Sequence, residues 1–106
     1  MVSLPARGEV WWGEAPDAKG RPFLLLTRDE AIPVLRTVLV APVTRTVRGI
    51  PTEVPLGPDE GLPVESVAAF DAVTAFPRAM LVRRMGALSP VRAGELCQAL
   101  AAATDC

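Results

Sequence analysis

The sequence predicts a mainly β fold (α+β), a small antiparallel barrel of about five or six short strands followed by one α-helix. Short apolar runs rich in β-branched and aromatic residues recur along the chain, which is the pattern of buried strands. The 11 prolines and 8 glycines fall between or at the edges of these runs, so the loops are short and stiff. Because 106 residues suffice for one modest core, we expect residues 1–106 to form a single domain.

The first half of the chain contributes three predicted strands. Residues 9–12 are short, carry two adjacent tryptophans and are flanked by glycines. Residues 22–27 form a continuous apolar run that begins at a proline, which is acceptable at the first position of a strand. Residues 37–42 are β-branched, and we expect them to be buried on both faces. Between the last two strands a helical turn can start at Asp29, but Pro33 is expected to stop it.

The second half of the chain contributes three more. Residues 52–56 form a short predicted strand that starts with Thr, Glu and Val, and residues 66–73 form a further apolar run. Residues 81–88 are apolar except for Arg83 and Arg84. We therefore expect a final strand there that carries two cations.

One helix is predicted at the end of the chain. Ser89 is a favourable N-cap, and Pro90 suits the first helical position. We expect this helix to cover one opening of a barrel that is curved like an SH3 domain. The apolar residues that follow have the spacing of one buried helical stripe, which comprises Ala93, Leu96, Cys97 and Leu100.

Composition limits the classes of function. Half of the residues are hydrophobic and 22% are charged, as in folded globular proteins. The formal net charge is -1, so any nucleic-acid site has to be a local basic patch. No apolar run reaches the ~18 residues that a membrane span needs, and residues 1–7 lack the apolar core of a signal peptide. We expect a cytoplasmic protein without a membrane partner.

The absence of histidine excludes several kinds of site. The chain has no histidine and two cysteines, so catalysis by a Ser-His or Cys-His pair is not available. Cys97 in the predicted helix and Cys106 at the last position do not make a zinc site, and we expect no structural disulfide between them. The sequence thus predicts no metal and no cofactor, and an enzyme would have to use Arg, Asp, Glu, Thr, Ser or Lys.

Basic and hydroxyl side chains gather at the ends of two predicted strands. Arg21 directly precedes the second strand, and Thr44 follows the third. A guanidinium is always charged and binds two phosphate oxygens at once, and a threonine hydroxyl can donate to phosphate. Taken alone, the two residues fit a solvated arginine and a strand-end threonine better. A loop follows that can track a phosphate backbone, with Arg45, Thr46 and Arg48 before Gly49 and Pro51.

These segments resemble a known family. In order and spacing, residues 19–26, 37–46 and 48–54, with 7–12 upstream and Ser66-Val67 downstream, are similar to the MazF/PemK toxins of bacterial toxin–antitoxin systems. The resemblance covers about residues 7–100 and is most specific at 42–56. It implies a barrel of the MazF/PemK/CcdB type and a sequence-specific endoribonuclease that cuts single-stranded RNA without a metal. It also implies a homodimer, with RNA crossing the interface, and a cognate antitoxin whose acidic tail occupies the same groove.

The resemblance assigns roles to particular residues. Arg21 stands where the family has the catalytic arginine of an Arg-Pro pair, and Thr44 stands where a Ser or Thr binds the scissile phosphate or takes part in its cleavage. Asp71 stands where some members have a catalytic carboxylate. The remaining expected RNA contacts are Lys19, Arg45, Thr46, Arg48 and Ser66.

Two departures from the family leave the general base open. Family members commonly have Gln after the acidic residue, whereas Ala72 follows Asp71. The loop of residues 13–20 is also shorter than usual, so that its acidic residues do not align with certainty. The candidates for the base are Asp71, Glu14, Asp17 and Arg21 itself.

Two alternatives from other classes stay open. A gyrase inhibitor of the CcdB type has the same barrel but depends on a Trp-Gly-Ile terminus, whereas this chain ends Ala-Thr-Asp-Cys. A catalytically inactive RNA- or protein-binding module fits the short loop and Ala72. The adjacent Trp11 and Trp12 point to opposite faces if they share a strand. One is then core, and the other fits core or a dimer interface better than a base-stacking site.

Overall fold

A computed structural model describes residues 4–16 and 19–104, which form a curled antiparallel sheet with a helix against one side. This architecture confirms the predicted mainly β fold with a C-terminal helix. In chain order the elements are β1 (Glu9–Gly13), β2 (Arg21–Leu25), β3 (Thr37–Thr44), β4 (Glu53–Leu56), β5 (Ser66–Ala69), β6 (Thr74–Pro77), β7 (Leu81–Ala87) and α1 (Pro90–Thr104). Four short 3-10 turns connect them within the described residues.

Strand β3 joins the two parts of the sheet. The order along the sheet is β4-β5-β3-β2-β1-β7, and β6 pairs with the first half of β3. The last two residues of β3 pair with β5 instead. In the antiparallel β2–β3 ladder Phe23 pairs with Pro42, and continuing this register by two residues sets Arg21 beside Thr44. The fold therefore brings these two predicted site residues to one end of the sheet.

Alternation along the strands separates two apolar clusters. Val10 and Leu24 belong to a cluster that α1 joins through Leu96 and Ala99. Trp11 of β1 belongs to the other cluster. The second cluster also contains Phe23 and Phe76, whose ring centroids are 4.6 Å apart. Side chains on both faces of the curled sheet are thus held by packing.

Several strand predictions needed correction. The third strand is buried on both faces at Val40 and Ala41 but not at its start, where Thr37 and Leu39 are exposed. The predicted strand of residues 66–73 ends at Ala69, and a 3-10 turn follows. The sequence analysis missed β6, which has one buried residue in four and thus lacks the apolar run of a central strand.

The helix begins at Pro90 as predicted, but its buried stripe is rotated. Ala93 and Cys97 are exposed, whereas Leu96 and Ala99 are buried. The stripe that packs on the core has the same helical spacing and comprises Leu96, Ala99, Leu100 and Ala103. On the same helix, Arg92 Nε lies 3.8 Å from the buried carboxylate of Glu60. The predicted turn near Asp29 is a 3-10 turn at Ile32–Val34 that contains Pro33 instead of ending before it.

No helix in the described part of the chain is long and apolar enough to cross a membrane.

Candidate functional site

A cavity of about 1110 Å³ opens at the end of the sheet where β2 begins and β3 ends. The β1–β2 loop lines it through Lys19 and Gly20, and the segment between β4 and β5 lines it around Leu62. Arg21 and Thr44 both line this cavity. The two residues that the sequence singled out for phosphate chemistry therefore share one site.

The wall between the β4–β5 segment and β7 depends on close backbone packing. Gly61 has a left-handed φ of +91°, and a Cβ there would lie 2.1 Å from the backbone oxygen of Met85. A Cβ on Gly86 would lie 2.3 Å from the backbone oxygen of Glu60. Only glycine at these positions lets the two backbones approach so closely, and this contact shapes the side of the cavity on which Leu62 and Met85 lie.

The charged side chains among the described lining residues of the cavity are all positive. Four exposed cations line it, and among the lining residues that the structure describes there is no carboxylate. None of the four takes part in an ion pair within residues 4–16 and 19–104. A protein with a net charge of -1 thus concentrates positive charge at one concave place, which attracts an anionic ligand. The cations are Lys19, Arg21, Arg45 and Arg83.

Arg21 is held toward the end of β3. Its Nη2 donates a hydrogen bond of 3.1 Å to the backbone oxygen of Val43, the residue before Thr44. The guanidinium carbon also lies 6.0 Å from the centroid of the Phe23 ring, which is favourable for a cation. One hydrogen bond leaves most of the guanidinium donors available to a ligand.

The Thr44 hydroxyl is oriented by its own loop. Its Oγ1 accepts a hydrogen bond of 3.2 Å from the backbone amide of Thr46, a local turn that threonine often makes. Because the oxygen accepts this bond, the hydroxyl hydrogen can still donate to a ligand. Thr46 itself is not among the residues that line the cavity.

Ser66 lies at the cavity wall but has little donor capacity left. The residue is buried, and its hydroxyl donates a 3.0 Å hydrogen bond to the backbone oxygen of Val64. Lys19 and Arg45 line the cavity with exposed side chains. Of the five expected RNA contacts, the structure therefore brings three to the cavity, and two of them are cations without an ion-pair partner in the described part of the chain.

Arg48 and Asp71 lie away from the cavity and bind each other. Arg48 Nη2 donates to Asp71 Oδ2 at 2.9 Å, and its Nε donates to Glu53 Oε2 at 3.1 Å. Neither Arg48 nor Asp71 lines the cavity. Their roles in RNA binding and catalysis stay predictions, and the geometry assigns both side chains to anchoring the β3–β4 loop.

Glu53 organises this loop, a role that the sequence analysis missed. Its Oε1 accepts hydrogen bonds from the backbone amides of Arg48 and Gly49 at 3.0 and 2.9 Å. Burial favours the neutral carboxyl, but the hydrogen bonds from Arg48, Gly49 and Ile50 together outweigh it and lower the pKa of Glu53. In turn, the hydrogen bonds to Asp71 and Glu53 raise the pKa of Arg48. A carboxylate four residues after Gly49, at the start of a strand, was the available signal.

The lowered pKa of Glu53 predicts an acid-dependent contribution to stability. A carboxylate with a depressed pKa in the folded state stabilises that state above its ordinary pKa of 4.5, and the contribution is lost as the pH falls below it. Glu53→Gln should therefore be less stable than wild type at neutral pH, and the difference should narrow in acid.

Denaturant midpoints at neutral pH and in acid measure this effect. Glu65→Gln is the matched control, because this carboxylate is exposed, and it should change stability little at either pH. A deficit for Glu53→Gln that stayed the same in acid would contradict the role assigned to its charge.

The four candidates for the general base differ in position. Arg21 lines the cavity, and Glu14 lies at its edge, where Glu14 Oε1 accepts a 2.9 Å hydrogen bond from the indole nitrogen of Trp12, a lining residue. Asp71 is paired with Arg48, as described. Asp17 lies outside the described residues. The carboxylate that contacts the cavity wall is thus Glu14.

The chain is similar to known proteins over nearly its whole length. A family model described as PemK-like, MazF-like toxin of type II toxin-antitoxin system matches residues 6–104. A Mycobacterium tuberculosis protein named Probable endoribonuclease MazF5 is 47% identical, with all of this chain and 98% of the relative aligned. A second M. tuberculosis protein, named Probable endoribonuclease MazF2, is 41% identical over 94% of this chain and 98% of its own length.

Solved structures agree. The Mycobacterium tuberculosis toxin MazF-mt6 superposes with a TM-score of 0.84 at 37% identity, covering 92% of this chain and 96% of that one. A mycobacterial endoribonuclease in complex with its cognate antitoxin superposes with a TM-score of 0.83 at 26% identity, covering 94% of both chains.

Proposed function

Since the chain belongs to the PemK-like, MazF-like toxins of type II toxin–antitoxin systems, we propose that it is a sequence-specific endoribonuclease that cuts single-stranded RNA in the cytoplasm. The observation that carries the proposal is the cavity that Arg21 and Thr44 share, in which Arg21 is one of four lining cations and no described lining residue is a carboxylate. RNA phosphate is an anion that such a cavity attracts. Relatives that are named endoribonucleases support the same activity.

The proposed reaction is an internal transfer at one phosphodiester. The 2′-oxygen of the ribose attacks phosphorus, the bond from phosphorus to the 5′-oxygen breaks, and a 2′,3′-cyclic phosphate remains. A base accepts the 2′-hydroxyl proton, and an acid supplies a proton to the departing 5′-oxygen. Negative charge builds up on the non-bridging oxygens, so cationic donors that are fixed beforehand give the largest effect.

Arg21 and Thr44 suit this charge. Arg21 is held beside Thr44 by its hydrogen bond to the Val43 carbonyl, so it pays little ordering cost when the transition state forms. Thr44 orients the scissile phosphate with the hydroxyl hydrogen that its own loop leaves free. Glu14 lies at the edge of the cavity, where it accepts a hydrogen bond from the lining residue Trp12. We therefore assign the acceptance of the 2′-hydroxyl proton to Glu14 rather than to Asp71, whose carboxylate binds Arg48.

The proposed mechanism predicts metal-independent cleavage. None of its steps needs a divalent ion, because the guanidinium of Arg21 supplies the positive charge. Cleavage should continue in excess EDTA, and the upstream fragment should end in a 2′,3′-cyclic phosphate that mass spectrometry detects. Activity abolished by the chelator and restored by magnesium would sink this mechanism.

We further propose that an antitoxin neutralises the protein by occupying the cavity. One of the similar structures is an endoribonuclease with its cognate antitoxin. A cavity lined by four cations that have no ion-pair partner among the described residues suits an acidic segment of such a partner as well as it suits RNA. Because an acidic segment and RNA are both anionic, the antitoxin and RNA then compete for the same cavity.

We also propose that the protein acts as a homodimer. Large apolar side chains remain exposed in the described part of the chain, including Val34 at 79%, Val82 at 54% and Leu39 at 49%. Apolar surface of this kind favours a partner. Sedimentation equilibrium should give twice the monomer mass at micromolar concentration, and a monomer at that concentration would count against the proposal.

A further inference from the structure

The cavity has a second half whose chemistry differs from the phosphate site. Beside the cations, its lining is apolar and includes Pro58, Leu62 and Met85. Trp12 lies in this cavity, whereas its neighbour Trp11 is buried in the core with 7% of its surface exposed. Such surfaces suit the flat faces of bases rather than phosphates.

The indole of Trp12 is fixed before any ligand arrives. A Cβ at Gly20 would lie 2.5 Å from the indole nitrogen, so the ring covers the glycine backbone directly. The same nitrogen donates a 2.9 Å hydrogen bond to Glu14. A ring held at two places loses little freedom when a base stacks on it.

Arg83 lies opposite Trp12 on the neighbouring strand β7. Trp12 pairs with Arg83 on β7 and with Pro22 on β2, and all three residues line the cavity. The β1–β7 register shifts on both sides of the Trp11–Trp12 pair, which leaves Met85 and Val82 as extra residues on β7. Irregularities of this kind re-aim side chains near functional sites. The Arg83 side chain has no ion-pair partner among the described residues.

From this arrangement we infer that Trp12 is a stacking platform for one RNA base, and that Arg83 binds a phosphate of the same strand. Trp12 and Arg21 line the same cavity from the paired strands β1 and β2. We therefore place this nucleotide beside the scissile phosphate. This inference rests on the proposed function, since it takes single-stranded RNA as the ligand of the cavity.

Tryptophan fluorescence tests the inference directly, because the chain has only two tryptophans. Two probes are used, a random-sequence pool of short, fully 2′-O-methylated single-stranded RNA, which resists cleavage, and an abasic ribose-phosphate oligomer of equal length. In Trp11→Phe, the base-containing pool should quench Trp12 and the abasic oligomer should not. In Trp12→Phe, neither probe should quench Trp11. Anisotropy of labelled probes measures binding in parallel.

Affinity provides the second readout. Trp12→Ala should weaken binding of the base-containing pool about 5- to 140-fold and leave the abasic oligomer unaffected, and Trp12→Phe should retain most of the affinity. Arg83→Ala should weaken both probes alike and reduce the slope of log affinity against log salt by about 0.7.

Each outcome decides something specific. No binding of the pool, binding without quenching of Trp12, or equal quenching by the abasic oligomer would overturn the stacking site. If Trp12 responds as expected but the wild type leaves unmodified RNA intact, the subsite stands and the endoribonuclease proposal fails. If RNA is cut but the fluorescence of Trp12 does not change, the stacking site is wrong and the endoribonuclease proposal stands.

Discussion

Arg21→Ala should lower the rate of RNA cleavage about 10²–10³-fold, since removal of one preorganised donor to a developing charge typically costs this much. Arg21 is exposed, and among the described residues its guanidinium contacts the Val43 carbonyl and the Phe23 ring. The fold should therefore survive the substitution. Single-turnover rates on a defined RNA, together with a thermal melt of each variant, separate a lost catalytic group from a lost fold.

Two further variants sharpen this prediction. Arg21→Lys should recover only part of the rate, because an ammonium keeps the charge but lacks the planar fork that binds two phosphate oxygens. Arg28→Ala is the charge-matched control, because Arg28 lines a separate depression with Leu39 at the other end of β2 and β3. It should cleave like the wild type. Wild-type rates for Arg21→Ala would exclude Arg21 from catalysis.

Gly61→Ala should destabilise the fold by about 2–5 kcal/mol. Two costs combine, since a left-handed φ of +91° disfavours any Cβ, and this Cβ would lie 2.1 Å from the Met85 backbone oxygen. The first cost is about 1–2 kcal/mol and the second about 1–3 kcal/mol. Against the 5–15 kcal/mol that a domain usually has, this loss is large. Urea unfolding followed by circular dichroism measures it.

Gly94→Ala is the control for that experiment. Gly94 lies within α1, and a Cβ there meets nothing within 4 Å. Because alanine favours helix over glycine by about 0.5–1 kcal/mol, this variant should be slightly more stable than the wild type. Equal stability of Gly61→Ala and Gly94→Ala would mean that the β4–β5 segment does not pack on β7 as described.

The fold was predictable where local pattern and packing agree. The runs that became β1, β2 and β7 lie within one or two residues of their predicted bounds. The pattern of apolar runs did not predict β6, where only Phe76 is buried, because an edge strand needs few apolar residues. It also failed for the face of α1, because the helix carries two overlapping apolar stripes of the same spacing, and the one that packs on the core starts at Leu96 rather than at Ala93.

The site was predictable in part for a similar reason. Arg21 and Thr44 end adjacent strands, so an antiparallel ladder was enough to unite them. Arg48 looked equally suitable as a loop cation, but its guanidinium is bound to Asp71, which comes from a distant turn. Arg83 reaches the cavity only because β7 pairs with β1. Long-range pairing of this kind decides which cations are free, and sequence spacing does not encode it.

The most direct test of the central claim is to map the ends produced when the purified protein acts on one long RNA. The account predicts cuts at one short recurring sequence, with 2′,3′-cyclic phosphate on the upstream fragments, and no such cuts with Arg21→Ala under the same conditions. RNA that stays intact with the wild type, or the same cuts with Arg21→Ala, would contradict the assignment of this cavity as an RNA-cleaving site.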